Sequence, residues 1–335
     1  MLRSLVAITT LLLAIVACKN DPKPPTPAPP ALPKATTLSP APTFNADSAY
    51  TYVKKQVDFG PRVPNTTAHK KCGAWIAQTF RRHGLTVIEQ SFKAPHYKGG
   101  EMNGVNIIAQ YKPEAKQRVI LAAHWDSRFM ADQDKINPDK PVDGADDGAS
   151  GVGVLLEIAR LLKDNPMELG VDLICFDVED QGNDSDDAQQ DNSRTWCLGA
   201  QHWSENLHTA NYYAQYGILL DMVGAANPNF EKEGVSMQAA PNIVNKVWNI
   251  ANVLGYGNAF VSTRGAGITD DHFFVITKAN IPMIDIINRP GVTPSGFVAH
   301  WHTHNDKMSA IDKNTLKMVG QTCIQVLSNT AAGTF

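Results

Sequence analysis

Five short apolar runs, each of strand length, constrain the fold of this chain more than any other feature. They cover residues 105–109, 119–123, 171–176, 218–220 and 283–287. Apolar residues also recur at helical spacing in four longer segments, residues 68–83, 149–162, 243–254 and 316–327. Short buried strands that alternate with helices are typical of a mostly parallel central sheet with helices on both faces. We therefore predict a single α/β domain over residues 46–335.

Length, charge and cysteine content exclude several classes of protein. The 335 residues carry 30 Lys and Arg against 33 Asp and Glu, a net charge of −3, and 43% of them are hydrophobic. A nucleic-acid-binding protein would usually carry a basic patch or stripe, so nucleic acid is not expected as a partner. The five cysteines are too few and too scattered for a disulfide scaffold or an all-cysteine zinc module.

The N-terminal residues are typical of an export and anchoring signal. Arg3 precedes an apolar run over residues 5–16 that is too short to span a bilayer comfortably, as in a secretory signal. Residues 15–18, Ile-Val-Ala-Cys, resemble the end of a bacterial lipoprotein signal. This resemblance places the signal peptide at residues 1–17 and the lipidated residue at Cys18. A simple cleaved signal with an incidental cysteine is the alternative.

A proline-rich stretch follows Cys18. Nine of the 21 prolines lie between Pro22 and Pro42, and this composition predicts an extended spacer. We assign residues 18–45 to the lipidated cysteine and the spacer, and we expect a lipid-anchored lipoprotein of the cell envelope, on the periplasm-facing outer membrane. Export also permits a disulfide, although sequence cannot pair the other four cysteines, which are Cys72, Cys175, Cys197 and Cys323.

Potential metal ligands follow the predicted strands or open the loops beside them. They occur in five places, residues 124–126, 143–147, 177–180, 221 and 300–304. In a sheet of this kind ligands bind outside the carboxyl ends of the strands, so these segments are expected to meet at one edge. Imidazole and carboxylate groups without cysteine suit a catalytic zinc site, whereas calcium and magnesium favour all-oxygen coordination. We predict a metal role for Asp147, Asp180 and His302.

The remaining polar clusters are given ordinary roles. Five histidines in helical or loop contexts are interpreted as surface or packing residues, namely His69, His83, His96, His202 and His208. The acidic loop at residues 183–192 is predicted to be solvated, with a calcium site as the alternative.

Six segments carry sequence motifs that are specific enough to be compared with those of known families. They are residues 57–64 (VDFGPRVP), 124–128 (HWDSR), 144–149 (GADDGA), 176–180 (FDVED), 220–228 (LDMVGAANP) and 301–303 (WHT). Together they resemble the animal-type, zinc-dependent glutaminyl cyclases (glutaminyl-peptide cyclotransferases), here in a bacterial form, which are built on a zinc-aminopeptidase-like fold. The similarity runs from about residue 49 to the C-terminal helix.

This resemblance implies an acyltransferase that converts the N-terminal glutamine of exported peptides and proteins to pyroglutamate and releases ammonia. It implies one zinc ion (Zn²⁺) per chain, held by Asp147, Asp180 and His302. Glu179 would serve as general base and acid, and Asp221 would orient the substrate amine. Asp180 departs from the family pattern, because the animal cyclases and the aminopeptidases carry glutamate there.

Four further residues complete the site that the resemblance implies. Asp270 would steady the developing tetrahedral centre, and three aromatic side chains would wall the pocket, namely Trp196, Phe297 and Trp301. Residues 181–192 depart from the family pattern, so the family's substrate-facing tryptophan has no direct match there, and Trp196 is the candidate for it. Ordinary alternatives are an N-cap of a helix at 271–277 for Asp270, core packing for Trp301 and a plain loop position for Phe297.

A two-zinc aminopeptidase of the same fold is the main alternative. In such enzymes the equivalents of His124 and Asp221 complete a second metal site, and both residues are present here. Trp301 favours the cyclase, because the aminopeptidases typically place tyrosine before the last metal histidine. A metal-binding lipoprotein without catalysis would be expected to lack the base or a ligand, and neither is missing. The sequence leaves the number of metal ions open.

Overall fold

The computed structural model describes residues 37–184, 192–291 and 293–335. The predicted signal peptide, Cys18 and the spacer up to residue 36 lie outside the described residues, as do residues 185–191 of the acidic loop. Within the three described stretches, no helix is both long and apolar enough to cross a membrane.

Helices and strands alternate along most of the described chain. The α-helices are α1 (Ala46–Val57), α2 (Thr67–Arg82), α3 (Ala149–Asp164), α4 (Leu198–Glu205), α5 (Gly234–Ala239), α6 (Pro241–Val253), α7 (Asp271–Ala279) and α8 (Lys313–Ala331). The strands are β1 (Thr86–Pro95), β2 (Glu101–Tyr111), β3 (Arg118–His124), β4 (Gly170–Phe176), β5 (Gly217–Asp221), β6 (Phe230–Lys232), β7 (Phe260–Arg264) and β8 (Met283–Ile287). The five predicted strands correspond to β2, β3, β4, β5 and β8, and the four predicted helices to α2, α3, α6 and α8.

The central sheet has six strands in the order β1-β2-β4-β3-β5-β8. Four neighbouring strands, β4, β3, β5 and β8, pair in parallel, whereas β1 and β2 run antiparallel to their neighbours. Strand β1 carries no apolar run because its residues are mostly exposed or half-buried, and it was therefore not predicted. Strands β6 and β7 form a separate parallel pair.

Helices cover both faces of this sheet, as predicted. In β3, Val119, Leu121 and Ala123 belong to a core shared with α1, α2, α3, α6 and α8. The alternate residues Ile120 and Ala122 belong to a second core shared with α4 and α7. A strand buried on both faces needs mainly apolar residues on both, which explains why the inner strands form largely apolar runs. Asn106 in β2 and Asp172 in β4 are buried polar exceptions.

Helix α3 lies closer to the sheet than a helix with ordinary side chains could. A Cβ atom at Gly151 would lie 2.4 Å from the backbone oxygen of Leu220 in β5, and one at Gly153 would lie 2.6 Å from a methyl group of Val53 in α1. These two glycines therefore let α3 pack against both neighbours. The packing fixes the position of Asp147, which lies just before the first residue of α3.

The folded unit begins earlier than the sequence predicted. Phe44 is buried against α8, where a Cβ atom at Gly320 would lie 2.3 Å from its ring. The backbone N–H of Ser39 donates to the side chain of Asn329 at 3.0 Å, and Gln325 donates to the Ser39 carbonyl at 2.6 Å. Residues 37–45, predicted as spacer, thus pack on α8 through backbone groups, which leave no apolar periodicity in the sequence.

The possible disulfide is absent from the described part of the chain. Its four cysteines are all free and buried, namely Cys72, Cys175, Cys197 and Cys323.

Candidate active site and metal centre

A cavity of about 360 Å³ opens at the carboxyl ends of the parallel strands. All nine residues predicted for catalysis, substrate binding and metal binding line it, namely Asp147, Glu179, Asp180, Trp196, Asp221, Asp270, Phe297, Trp301 and His302. Six other residues complete its wall, namely Asn183, Asp184, Met222, Ile268, Thr269 and Ile287. The fold therefore brings together every predicted site residue, as expected for the edge of a parallel sheet where ligands bind.

Unusual backbone conformations aim several of these side chains into the cavity. Val178, Cys197, Met222 and His302 all have positive φ, between 47° and 55°. A left-handed conformation is costly for residues other than glycine, asparagine and aspartate, and rarest for a β-branched residue such as Val178. Each of the four is a cavity residue or lies beside one. Such strain is typical of functional sites, where the surrounding fold holds it in place.

Asp147, Asp180 and His302 form a group that we call the metal centre. The Nε2 atom of His302 lies 2.9 Å from Oδ1 of Asp180 and 3.9 Å from Oδ2 of Asp147. All three residues are buried, and Oδ2 of Asp180 has no hydrogen-bond partner among the described residues. Burial, with repulsion from Asp147, raises the pKa of Asp180 to about 6. Two converging carboxylates, an imidazole and an orphaned acceptor fit a divalent cation such as zinc.

An outer pair of residues orients the metal centre. Oδ1 of Asp132 lies 3.0 Å from Nδ1 of His302, the ring nitrogen that faces away from Asp180. Arg128 pairs with Asp132 and also donates to the backbone oxygen of Asp180 at 3.1 Å. A carboxylate on the far nitrogen is typical of metal-bound histidine, because it fixes the ring's tautomer and orientation. Asp132 was missed by sequence reasoning, since it follows no predicted strand.

The other two histidines of the same loop have different partners. His300 Nε2 lies 2.9 Å from Asp146, and His304 Nδ1 lies 3.0 Å from Asp134. Of the three, His302 is therefore the one directed at Asp147 and Asp180.

A second group of potential ligands shares Asp147. Nε2 of His124 lies 2.9 Å from Oδ1 of Asp147 and 3.3 Å from Oδ1 of Asp221. Asp147 thus presents one oxygen to His124 and the other to His302, which is the arrangement that a two-metal site would use. Burial raises the pKa of Asp221 to about 7, although the contact with His124 opposes the shift.

Buried carboxylates hold the loops that carry the ligands. Oδ1 and Oδ2 of Asp126 accept from the backbone N–H groups of Glu179 and Asp180, both at 3.1 Å. Asp306 accepts from the backbone N–H of Asp146 at 2.7 Å and of Asp147 at 3.1 Å. These contacts fix the backbone on both sides of the cavity. Asp306 was missed by sequence reasoning because it lies far along the chain from the loop it supports.

Glu179 lies beside the metal centre in the same cavity. Burial raises the pKa of its carboxyl group well above the usual range, the imidazole of His124 opposes the shift, and Asp180 adds to it. A carboxyl group with a raised pKa suits proton transfer near neutral pH.

Asp270 is both a helix N-cap and a residue of the cavity wall. It is the N-cap of α7, and its side chain accepts from the backbone N–H of Asp271. Its second oxygen, Oδ2, has no hydrogen-bond partner among the described residues, and the side chain lines the cavity. The N-cap alternative is therefore correct for one oxygen, while the other is buried and has no partner among the described residues.

Further buried polar groups lie behind Asp270, and we call Asp270, Asp271, His272, Asp285 and Glu233 together the inner carboxylate cluster. Nε2 of His272 lies 3.1 Å from Glu233, and its Nδ1 lies 4.0 Å from Asp285. Neither carboxylate oxygen of Asp271 or of Asp285 has a hydrogen-bond partner among the described residues. Sequence reasoning identified only Asp270 of this cluster.

Aromatic rings form one wall of the cavity. The ring of Trp301 stacks on that of His302 with centroids 3.7 Å apart, and Phe297 packs on Trp301 at 4.7 Å. Trp196 stacks parallel to His302 at 6.1 Å and packs on Gly182, where a Cβ atom would lie 2.0 Å from the indole. Trp301 and Phe297 are half-buried, line the cavity and also pack against a small buried cluster of Met222, Ile287 and Val298.

Comparisons with known proteins agree with this geometry. The family model described as "Peptidase family M28" matches residues 106–327. The solved structure of a glutaminyl cyclase from Bacteroides thetaiotaomicron, bound to N-acetylhistamine, is 50% identical with a TM-score of 0.83, over 87% of this chain and 99% of that one.

Two further relatives carry different names. A Zn-dependent exopeptidase from Parabacteroides distasonis is 49% identical with a TM-score of 0.84, over 87% of this chain and 100% of that one. A glutaminyl-peptide cyclotransferase from Drosophila melanogaster is 27% identical over 76% of this chain and 73% of its own length. The names of these relatives thus include both chemistries that the sequence left open.

Proposed function

Since the chain belongs to peptidase family M28 and to the glutaminyl cyclases within it, we propose that it is a glutaminyl-peptide cyclotransferase. It would convert an N-terminal glutamine to pyroglutamate with release of ammonia. One observation carries the proposal: Glu179 and the ligand Asp180 are adjacent in sequence and line one cavity with Phe297 and Trp301. The cavity volume of about 360 Å³ is at the small end of the range for ligand sites, which suits a single terminal residue.

The metal centre would hold zinc through Asp147, Asp180 and His302. A zinc ion bound there supplies a Lewis acid for the γ-carbonyl of the substrate glutamine. We propose one ion per chain. The far nitrogen of His302 has a dedicated carboxylate, Asp132 at 3.0 Å. Nδ1 of His124, by contrast, lies 3.5 Å from Asp126.

Asp126 is also occupied by other donors. Both of its oxygens already accept hydrogen bonds from the backbone of Glu179 and Asp180. His124 therefore lacks the oriented outer carboxylate that is typical of a metal-bound histidine.

The protein's own groups would carry the proton transfers. The α-amine of the substrate attacks its own γ-carbonyl carbon, so the reaction is intramolecular and requires positioning more than activation of the nucleophile. Glu179 takes the proton that the amine loses as the new carbon–nitrogen bond forms. The same proton then goes to the departing nitrogen when the old carbon–nitrogen bond breaks and ammonia leaves.

Two aspartates would bind the reacting groups. Asp221, at the end of β5, would accept a hydrogen bond from the amine and orient it. Asp270, which lines the cavity, would accept a hydrogen bond from the carboxamide nitrogen at the developing tetrahedral centre. Phe297 and Trp301 would exclude water from the side chain, with Trp196 on the adjoining wall.

A two-substrate assay tests this proposal. The purified chain is incubated with a glutaminyl peptide, followed by mass spectrometry, and separately with leucine-p-nitroanilide, followed by absorbance. We expect the glutaminyl peptide to lose the mass of one ammonia and no p-nitroaniline to appear. Release of p-nitroaniline with the glutaminyl peptide unchanged would instead support the aminopeptidase, which the His124, Asp147 and Asp221 group favours.

We also propose that the chain is a lipoprotein of the cell envelope, on the periplasm-facing outer membrane and anchored through Cys18. Its substrates would then be exported peptides and proteins whose N-terminus is glutamine. The motif at residues 15–18 and the proline-rich stretch support this proposal. Growth with a labelled fatty acid should label the chain, and the Cys18→Ala variant should remain unlabelled; equal labelling of both would contradict the anchor.

A further inference from the structure

One buried cysteine contacts the carboxylate of Glu179. Sγ of Cys197 lies 3.2 Å from Oε1 of Glu179. Within residues 37–184, 192–291 and 293–335, this thiol is the one donor with a hydrogen bond to that carboxylate. The other oxygen, Oε2, lies 3.9 Å from Nδ1 of His124.

The backbone holds Cys197 in this position from both sides. Its N–H donates to the carbonyl oxygen of Glu179 at 3.0 Å, and the next N–H, that of Leu198, donates to Val178 at 3.0 Å. Cys197 and Val178 both adopt the left-handed conformation, with φ of 55°. The two segments are therefore locked together by two backbone hydrogen bonds at the point where both backbones are strained.

The side chain of Cys197 does not serve the helix that it precedes. Cys197 is the N-cap residue of α4, where a side chain commonly accepts from the first backbone N–H groups, but it makes no capping bond. The thiol contacts Glu179 instead. Its position is thus explained by Glu179 and not by helix stability.

We propose that Cys197 is a positioning residue for Glu179, and this rests on the proposed function. Its thiol donates to Oε1, fixes the rotation of the carboxylate and leaves Oε2 for the proton of the substrate amine. A thiol is a weak donor, so the contact constrains direction more than it contributes energy. Burial raises the pKa of this thiol well above its usual range, and the nearby carboxylates add to the shift. The sulfur therefore keeps its proton and remains a donor.

Kinetic constants of three variants test the role. Cys197→Ala removes the donor, and we expect kcat to fall about tenfold with KM changed less than about twofold, because a misaligned general base slows chemistry more than binding. Cys197→Ser keeps a donor and should recover most of the lost kcat. Cys323→Ala is the matched control, since Cys323 is equally buried but lies in α8, away from the cavity. It should keep the wild-type kcat.

An infrared measurement tests the contact without any assay. The S–H stretching band of Cys197 is identified by subtracting the spectrum of Cys197→Ser from that of the wild type. In Glu179→Gln, whose amide oxygen is a weaker acceptor, the band should shift towards the frequency of a free thiol. An unchanged band would overturn the proposal, as would an absent band, which would indicate a thiolate bound to a metal with Glu179 and Asp270.

The outcomes separate this inference from the proposed function. If the wild type fails to cyclise a glutaminyl peptide, the proposed function fails, while the infrared shift still decides whether the contact exists. If the wild type cyclises and Cys197→Ala has the same kcat, the positioning role is wrong. If Cys197→Ala does not fold, a Cys197→Ser enzyme with wild-type melting temperature and less than about a tenth of the kcat would also contradict it, because the retained donor should support catalysis.

Discussion

The metal centre and the inner carboxylate cluster contain the same kinds of side chain but manage their charge differently. Each brings potential ligand atoms of a histidine and at least two carboxylates within 4.8 Å of one another. Beside the metal centre, Arg128 forms an ion pair with Asp132. Within it, Oδ2 of Asp180 has no partner among the described residues and is left for a cation. In the inner cluster, burial and then repulsion from Asp270 raise the pKa of Asp271 well above its usual range, which favours the neutral form of this carboxyl group.

The difference lies in access and in outer partners. Asp147, Asp180 and His302 all line the cavity, whereas Asp271, His272 and Asp285 are fully buried and do not. The metal centre is therefore open to the cavity, whereas these three residues of the inner cluster are closed off from it. Composition alone therefore cannot tell a metal site from a buried proton-holding cluster.

The largest expected effect comes from replacing the histidine of each group by alanine. His302→Ala should lose bound zinc and slow cyclisation by at least about a hundredfold, because the ion loses one of three ligands. His272→Ala should keep its zinc. Metal content per chain, measured by plasma mass spectrometry, checks both, with His300→Ala as the control from the same loop. Full zinc in His302→Ala would mean that the metal centre is wrongly assigned.

Glu179→Gln should separate metal binding from proton transfer. The variant keeps all three ligands, so its zinc content should equal that of the wild type. Its kcat should fall about 10²–10⁴-fold, since no carboxylate remains to accept the amine proton. Steady-state kinetics with a glutaminyl peptide measures the loss; an active Glu179→Gln enzyme would exclude Glu179 as the base.

Asp132→Asn should weaken the metal centre without removing a ligand. His302 would lose the carboxylate at 3.0 Å that fixes its ring, and zinc affinity should fall about 10–100-fold. Competition with a chelator measures the affinity. Asp134→Asn is the matched control, because Asp134 pairs with His304 instead; equal losses in the two variants would argue against a specific role for Asp132.

The smallest effect is expected in the inner cluster, as a change in pH dependence. Burial, with repulsion from Asp270, raises the pKa of Asp285 well above its usual value of 3.8. Because the pKa of Asp285 is higher in the folded than in the unfolded state, the folded state binds this proton more tightly. Asp285 therefore destabilises the fold progressively as pH rises above about 4. Asp285→Asn removes this penalty.

The free energy of unfolding of Asp285→Asn should therefore exceed that of the wild type at pH 8 by about 1–3 kcal/mol, and by less at pH 5. Urea denaturation at the two pH values measures the difference. A variant less stable than wild type at pH 8 would show that Asp285 is ionised and paired in the folded protein.

Much of the fold and of the cavity could be predicted because short-range patterns encode them. The strands buried on both faces are mostly apolar, and the site residues follow their ends. Strand β1 escaped prediction because most of its residues are exposed or half-buried. Residues 37–45 escaped because, apart from Phe44, they pack on α8 through backbone hydrogen bonds. The packing of Trp196 on Gly182 depends on a close approach that no spacing reveals.

The sequence by itself determined which segments of the chain end in a carboxylate, an imidazole or an indole side chain. The tertiary structure decided which of those groups meet. His300, His302 and His304 alternate within one short segment, yet they pair with Asp146, Asp180 and Asp134, which lie 154, 122 and 170 residues away. Such pairs are fixed by the packing of distant elements, and a local pattern carries no information about a partner more than a hundred residues away.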